Sequence, residues 1–163
     1  ALLGLVGKGH KLAVAVAVER LGHQDEAVRL GAVGALSQLA ARDDRTAVEL
    51  VVARLARGSE EAQMAAAAAL GVVASRGNER AVEMSLALAV DRDAGTRRAA
   101  IRALGLVAPA GDAAATSRVG ACLEDRCGAV RREAVEALAL LSRAGGGVRV
   151  VGQVAGRLSD EQS

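Results

Sequence analysis

Few side chains in this 163-residue chain could attack, protonate or coordinate a substrate. There are two histidines, His10 and His23, and two cysteines, Cys122 and Cys127. Neither histidine has a carboxylate or thiol at a spacing that would make a base–nucleophile pair. The C-x4-C pair lacks the further cysteine or nearby histidine that a metal site needs. It reads as two buried or half-buried thiols, with a mild preference for a reducing compartment. The run Gly4-Leu5-Val6-Gly7-Lys8-Gly9 has glycines and a lysine in the manner of a phosphate loop, but no Ser or Thr follows the lysine. No H-E-x-x-H or G-x-S-x-G motif occurs. The residues therefore predict no catalytic, cofactor-binding or metal site, and an enzyme is not expected.

Composition narrows the remaining classes. Hydrophobic residues make up 52% and charged residues 25%, the balance of a folded chain and not a disordered one. There is no Phe, Tyr or Trp, which removes stacking platforms, aromatic cages and the usual aromatic anchors of tight interfaces. Net charge is +2 with both signs interspersed, so no strong steering of a polyanion is implied. The longest stretch without a charged or strongly polar residue, Met64–Ala74, is far short of the roughly 18–20 residues of a membrane span. Ala1–Val6 has no basic region before it and reads as a helix tail, not a signal peptide.

The elements that must carry these side chains repeat. Ala-Leu recurs at Ala1-Leu2, Ala35-Leu36, Ala69-Leu70, Ala103-Leu104 and Ala137-Leu138, 34 residues apart each time. Such a period marks a stacked array whose units contact only their neighbours. In the first helix of each unit, Val28, Ala32, Ala35, Leu36 and Leu39 share a face. Their counterparts are Ala62 to Val73, Thr96 to Val107 and Val130 to Leu141. A turn column, Gly9, Asp43, Gly77, Gly111 and Gly145, supplies residues that tolerate left-handed backbone. The next column, His10, Asp44, Asn78, Asp112 and Gly146, mostly offers side chains that cap a following helix. Second helices are expected at about 12–21, 46–56, 80–90, 113–124 and 148–158. The predicted architecture is an all-α, right-handed α-solenoid of helix pairs. A partial repeat at 1–21 is followed by repeats at about 22–55, 56–89, 90–123 and 124–158. The start of another at 159–163 completes the expectation of a piece of a longer array.

An Asp before the first helix and Val-Arg within it resemble HEAT repeats, particularly the short type found in phycobilisome lyases. The carrying residues are Asp91 with Arg97, Asp125 with Val130-Arg131, and in part Asp25 with Val28-Arg29; Arg57, Ala62 and Gln63 depart from the pattern. Tetratricopeptide repeats share the period but look for aromatic residues that are missing here. The resemblance implies that Arg29, Arg97 and Arg131 form an internal ladder with Asp25, Asp91 and Asp125, each Arg pairing within its unit or with a neighbour. Arg98 and Arg132 are expected to be exposed. The resemblance also implies that the second helices line a concave, partner-binding side. Outward positions there are Glu19, Arg20, Glu49, Leu50, Arg54, Glu83, Met84, Leu88, Arg118 and Cys122; Leu50, Met84 and Leu88 form either an apolar contact strip or a wider core stripe.

The expected function is a non-catalytic protein–protein interaction scaffold within a larger complex. One alternative is a component of a bilin-lyase-type enzyme, which the resemblance permits. The other is nucleic-acid binding through the arginine rows, where Asp125, Glu133 and Glu136 interrupt the basic stripe. HEAT-type hydroxylases carry His-Glu metal ligands, but Lys11 follows His10 and Gln24 follows His23. The aromatics of HEAT-like DNA glycosylases are absent.

Overall fold

The computed structural model describes residues 10–143, and within them every regular element is helical. In chain order these are α1 (Lys11–Arg20), α2 (Glu26–Leu39), α3 (Arg45–Leu55), α4 (Glu60–Val73), α5 (Glu79–Leu88), α6 (Ala94–Val107), α7 (Ala113–Ala121) and α8 (Gly128–Ser142). A single 3-10 turn, Cys122–Glu124, follows α7, where the sequence suggests continuous helix. The expectations for 1–9, for a helix at 148–158 and for a further repeat at 159–163 lie outside the described residues.

Helices α1 to α7 start at a capping side chain, whereas Cys127 before α8 makes no side-chain cap. Asp44, Asn78 and Asp112 accept hydrogen bonds from the backbone N–H of Ala47, Ala81 and Ala115 at 2.8, 2.9 and 2.7 Å. His10 does the same for Ala13 through Nδ1 at 3.3 Å. Asp25, Ser59 and Asp93 cap the longer helices α2, α4 and α6. Each such cap satisfies one of the N–H groups a helix start leaves open. The preceding turn needs left-handed backbone, and Asp43, Gly77 and Gly111 supply it with φ of 63°, 94° and 72°.

Those turns also join one layer to the next. The N–H of Asp43 donates to the carbonyl of Val73 at 2.8 Å, Gly77 to Val107 at 2.7 Å and Gly111 to Leu141 at 3.2 Å. Each of these carbonyls lies at the end of a long helix, where no intrahelical partner remains. Asp43 adds a side-chain clasp, accepting from the Ser75 N–H and from Asn78 Nδ2, both at 2.7 Å. Those hydrogen bonds, led by Ser75, hold its carboxyl below the usual carboxylate range.

The long helices α2, α4, α6 and α8 pack in that order as one layer; α1, α3, α5 and α7 form the other. Each short helix packs against the long helix that follows it, α3 on α4 and α5 on α6, so close packing crosses the unit boundaries at 55/56 and 89/90. Leu36, Leu70 and Leu104 are fully buried and Leu138 nearly so, with Val48, Val51, Val52, Val73 and Val107 filling the space between layers. Small side chains let the layers close. A Cβ at Gly105 would sit 3.1 Å from Cα of Ala137 and 3.2 Å from Leu140 Cδ1, so that glycine makes room for α8.

Candidate functional site

On the short-helix layer, the outward residues divide into exposed side chains and side chains committed to the fold. Glu19, Arg20, Glu83 and Arg118 are exposed, and Leu50 is 36% exposed. Met84 and Leu88 are half-buried and pack against the core, so of the three apolar residues Leu50 is the one offered to solvent. Glu49 is a joint between helices. Its Oε1 accepts from Arg45 at 3.0 Å and from Arg80 of α5 at 2.7 Å, and these bonds keep the carboxyl below its ordinary range. The Arg54 guanidinium lies over Gly22, where any Cβ would collide with it. Its Nε is buried without a hydrogen-bond partner among the described residues. Arg118 borders a shallow cavity of about 350 Å³ between α5 and α7, with Leu86, Ala114, Ser117 and Ala121. Cys122, placed outward by the periodic pattern, is instead buried. Its thiol donates to the Arg118 carbonyl at 3.3 Å. Burial pushes that thiol's pKa up, while N–H groups of Val130 and Ala129 at the start of α8 draw the half-buried Cys127 down.

On the long-helix layer, the column expected to form an Asp–Arg ladder is chemically uneven. Arg97 makes a bidentate pair with Asp125 of the next unit: Nε to Oδ2 and Nη2 to Oδ1, both 2.8 Å. Both side chains are about nine-tenths buried, at 9% and 11% exposure. The remaining Arg97 nitrogen donates to the carbonyls of Asp91 and Arg92 at 2.9 and 3.0 Å. The guanidinium holds the Asp125 carboxyl well below the usual range, and the carboxylate in turn raises Arg97. Arg29 and Arg131 reach carbonyls instead: Arg29 those of His23 and Gln24 at 2.9 and 2.8 Å, Arg131 that of Asp125 at 2.7 Å. Asp25 and Asp91 accept backbone N–H bonds from Ala27 and Asp93. Among the described residues the ladder therefore has one carboxylate rung, because the position that would face Arg29 across the boundary holds Arg57.

The rung below has an amide in place of the guanidinium. Gln63 occupies the arginine column and donates to Thr96 Oγ1 at 3.0 Å and Asp93 Oδ2 at 3.4 Å. Arg98, expected to be exposed, is 30% exposed and bridges Glu60 and Glu133. Glu133 is buried in a column otherwise held by Gly31, Ala65 and Ala99, and it also takes Arg102 at 3.2 Å. A carboxylate in a column of small apolar residues was the sequence signal for this network. Arg132 is exposed, in agreement with its expected place.

No group of three or more His, Cys, Asp or Glu side chains among the described residues could hold a metal ion. Among them, too, no helix is long and apolar enough to cross a membrane. No curated protein matches the chain. A family model described as HEAT repeats matches residues 48–139, more than half of it. Stacked helix pairs, left-handed turns tied to the neighbouring layer and that match lead to one statement of kinship: the chain belongs to the HEAT-repeat family.

Proposed function

We propose that this chain is a non-catalytic scaffold that holds a protein partner on its short-helix face, as HEAT arrays typically do. The observation that carries the reading is the division of labour between the layers. The central long helices α4 and α6 are largely used up in stacking, whereas α1, α3, α5 and α7 leave Glu19, Arg20, Leu50, Glu83 and Arg118 exposed. Mixed charge with an isolated exposed leucine suits the polar rim and small apolar centre of a protein interface. The starts of the long helices at Glu26, Glu60, Ala94 and Gly128 support a right-handed solenoid built on 34-residue units at about 22–55, 56–89, 90–123 and 124–158. The Arg97–Asp125 rung is read as structural, a lock between units and not an anion site.

Nucleic acid fits the arginine rows of the long-helix layer less well, because Glu60 and Glu133 neutralise Arg98 and Arg102. The test is co-purification of the full-length protein from its own cells. A stoichiometric protein partner retained by the wild type and lost with Leu50→Glu plus Arg118→Glu, at unchanged melting temperature, is the expected result. Steeply salt-dependent nucleic acid binding with no protein partner would overturn it.

A further inference from the structure

The short helices do not close on one another equally: α3 and α5 pack closely, α5 and α7 less so. Between the latter two lies the cavity of about 350 Å³ bounded by Leu86, Ala114, Ser117, Arg118 and Ala121. Leu86 is half-buried there, and the four residues of α7 are exposed. Building on the short-helix face as the docking side, we propose that this notch takes an arginine of the protein partner. Its guanidinium pairs with Glu83, and an acidic residue beside it meets Arg118.

The array supplies the template one unit earlier. Glu49, the fifth residue of α3, accepts from Arg45 at the start of its own helix and from Arg80, the second residue of α5. In α5 the fifth residue is Glu83 and the first is Glu79, while the second residue of α7 is Ala114. The carboxylate is kept and both guanidiniums are gone. Glu79 and Glu83 stand four positions apart, both exposed, and like charges at that spacing repel. Among the described residues neither has an ion-pair partner. Ala114 takes away a long stem as well as a charge, so the α7 wall is low beside Glu83.

The rest of the notch specifies the occupant. Leu86 follows Glu83 by three positions and so shares its side of α5. An arginine from a partner rests its apolar stem on Leu86 and Ala114 and keeps its charged head at the rim, where the Glu83 carboxylate accepts from it. Arg118, on the opposite wall, is exposed, and its guanidinium has no partner among the described residues. It disfavours a solitary cation and selects one that arrives with a carboxylate. Both walls, α5 and α7, are described along their whole length.

The probe is an alanine-based helical peptide with one arginine and a glutamate four residues later. Amide NMR shifts of the full 163-residue chain read its binding, and the wild type should respond at Leu86, Ala114 and Ser117. Glu83→Gln should weaken binding about tenfold, through loss of a charge-assisted hydrogen bond. Ala114→Arg supplies the missing guanidinium from within and should weaken binding at least as much. Its site is exposed and arginine is nearly as good a helix former as alanine, so the fold is retained. Glu19→Gln, exposed on α1, should change nothing. A peptide with glutamine in place of arginine should bind about tenfold more weakly.

No response at the notch in the wild type would overturn the proposal, as would equal binding by wild type, Glu83→Gln and Ala114→Arg, or by the two peptides. Binding that appears only after removal of residues 144–163 would make the chain's own segment the occupant and also overturn it. A dimer that Glu83→Gln abolishes, with no binding of peptide, would make the occupant a second copy and would do the same. Co-purification separates the arginine from the wider docking reading. A partner lost with Leu50→Glu plus Arg118→Glu but kept by Glu83→Gln and Ala114→Arg would leave the short-helix face as the docking side and overturn the arginine alone.

Discussion

Helices α2 and α6 have the same length, 14 residues, and the same column positions, yet they live in different surroundings. In α6, nine residues are buried, including Thr96, Arg97 and Gly105. In α2, three are: Ala32, Leu36 and Leu39. The difference is in the neighbours. Helix α6 lies between α4 and α8, while among the described long helices α2 has α4 alone beside it. A repeat helix does not own its burial; the adjoining layer confers it.

That contrast can be broken most forcefully at the core. Leu104→Ala in α6, fully buried, should destabilise by about 3 kcal/mol in chemical denaturation. Leu30→Ala in α2, 65% exposed, should stay within about 0.5 kcal/mol of wild type.

The arginines come next. Arg97→Ala strips the guanidinium from an enclosed carboxylate and should destabilise by roughly 3 kcal/mol. Arg29→Ala, which loses bonds to two carbonyls of its own turn, should lose about 1 kcal/mol. The pair also sets an acid response. Because the folded Asp125 pKa lies below its unfolded value of about 3.9, its contribution is whole above that pH and is lost as pH falls through the folded value. Denaturation midpoints followed from neutral to acid pH should therefore drop less steeply for Asp125→Asn than for wild type.

Smaller effects sharpen the comparison by their sign. Gly31→Ala should stabilise α2 by about 1 kcal/mol, since the added methyl meets nothing and the helix gains propensity. Gly105→Ala gains the same propensity but presses on the Ala137 backbone, and should be destabilising by about 1 kcal/mol net. Thermal melting of the two variants separates these outcomes. In the short-helix layer, Ser85 is fully buried and its hydroxyl has no partner among the described residues; Ser85→Ala should raise stability by about 1 kcal/mol.

The turns and caps were legible in the residues because each demands a particular chemistry. Asp43, Gly77 and Gly111 tolerate left-handed backbone, and Asp44, Asn78 and Asp112 present an acceptor to a helix start. The fully buried leucines were legible for a related reason, since a large apolar side chain at constant spacing has one place to go. Partners across a boundary were harder to read. Arg97 pairs with Asp125, 28 positions on, and Arg98 with Glu133, 35 on, offsets that depend on how two helices slide past each other. Glycine in a helix reads as a penalty from the residue alone, but Gly105 is a point of contact with α8. Cys122 drew two readings from the sequence, a buried thiol from its type and an outward place from the period, and its burial agrees with the first.

The stack depends on neighbouring units being locked in this register, and the Arg97–Asp125 pair is where that lock is most open to measurement. A double-mutant cycle of Arg97→Ala and Asp125→Ala, followed by chemical denaturation, isolates the coupling between two adjacent units. A coupling energy of roughly 2 kcal/mol is the predicted result. Strict additivity of the two substitutions would contradict the stacking described here.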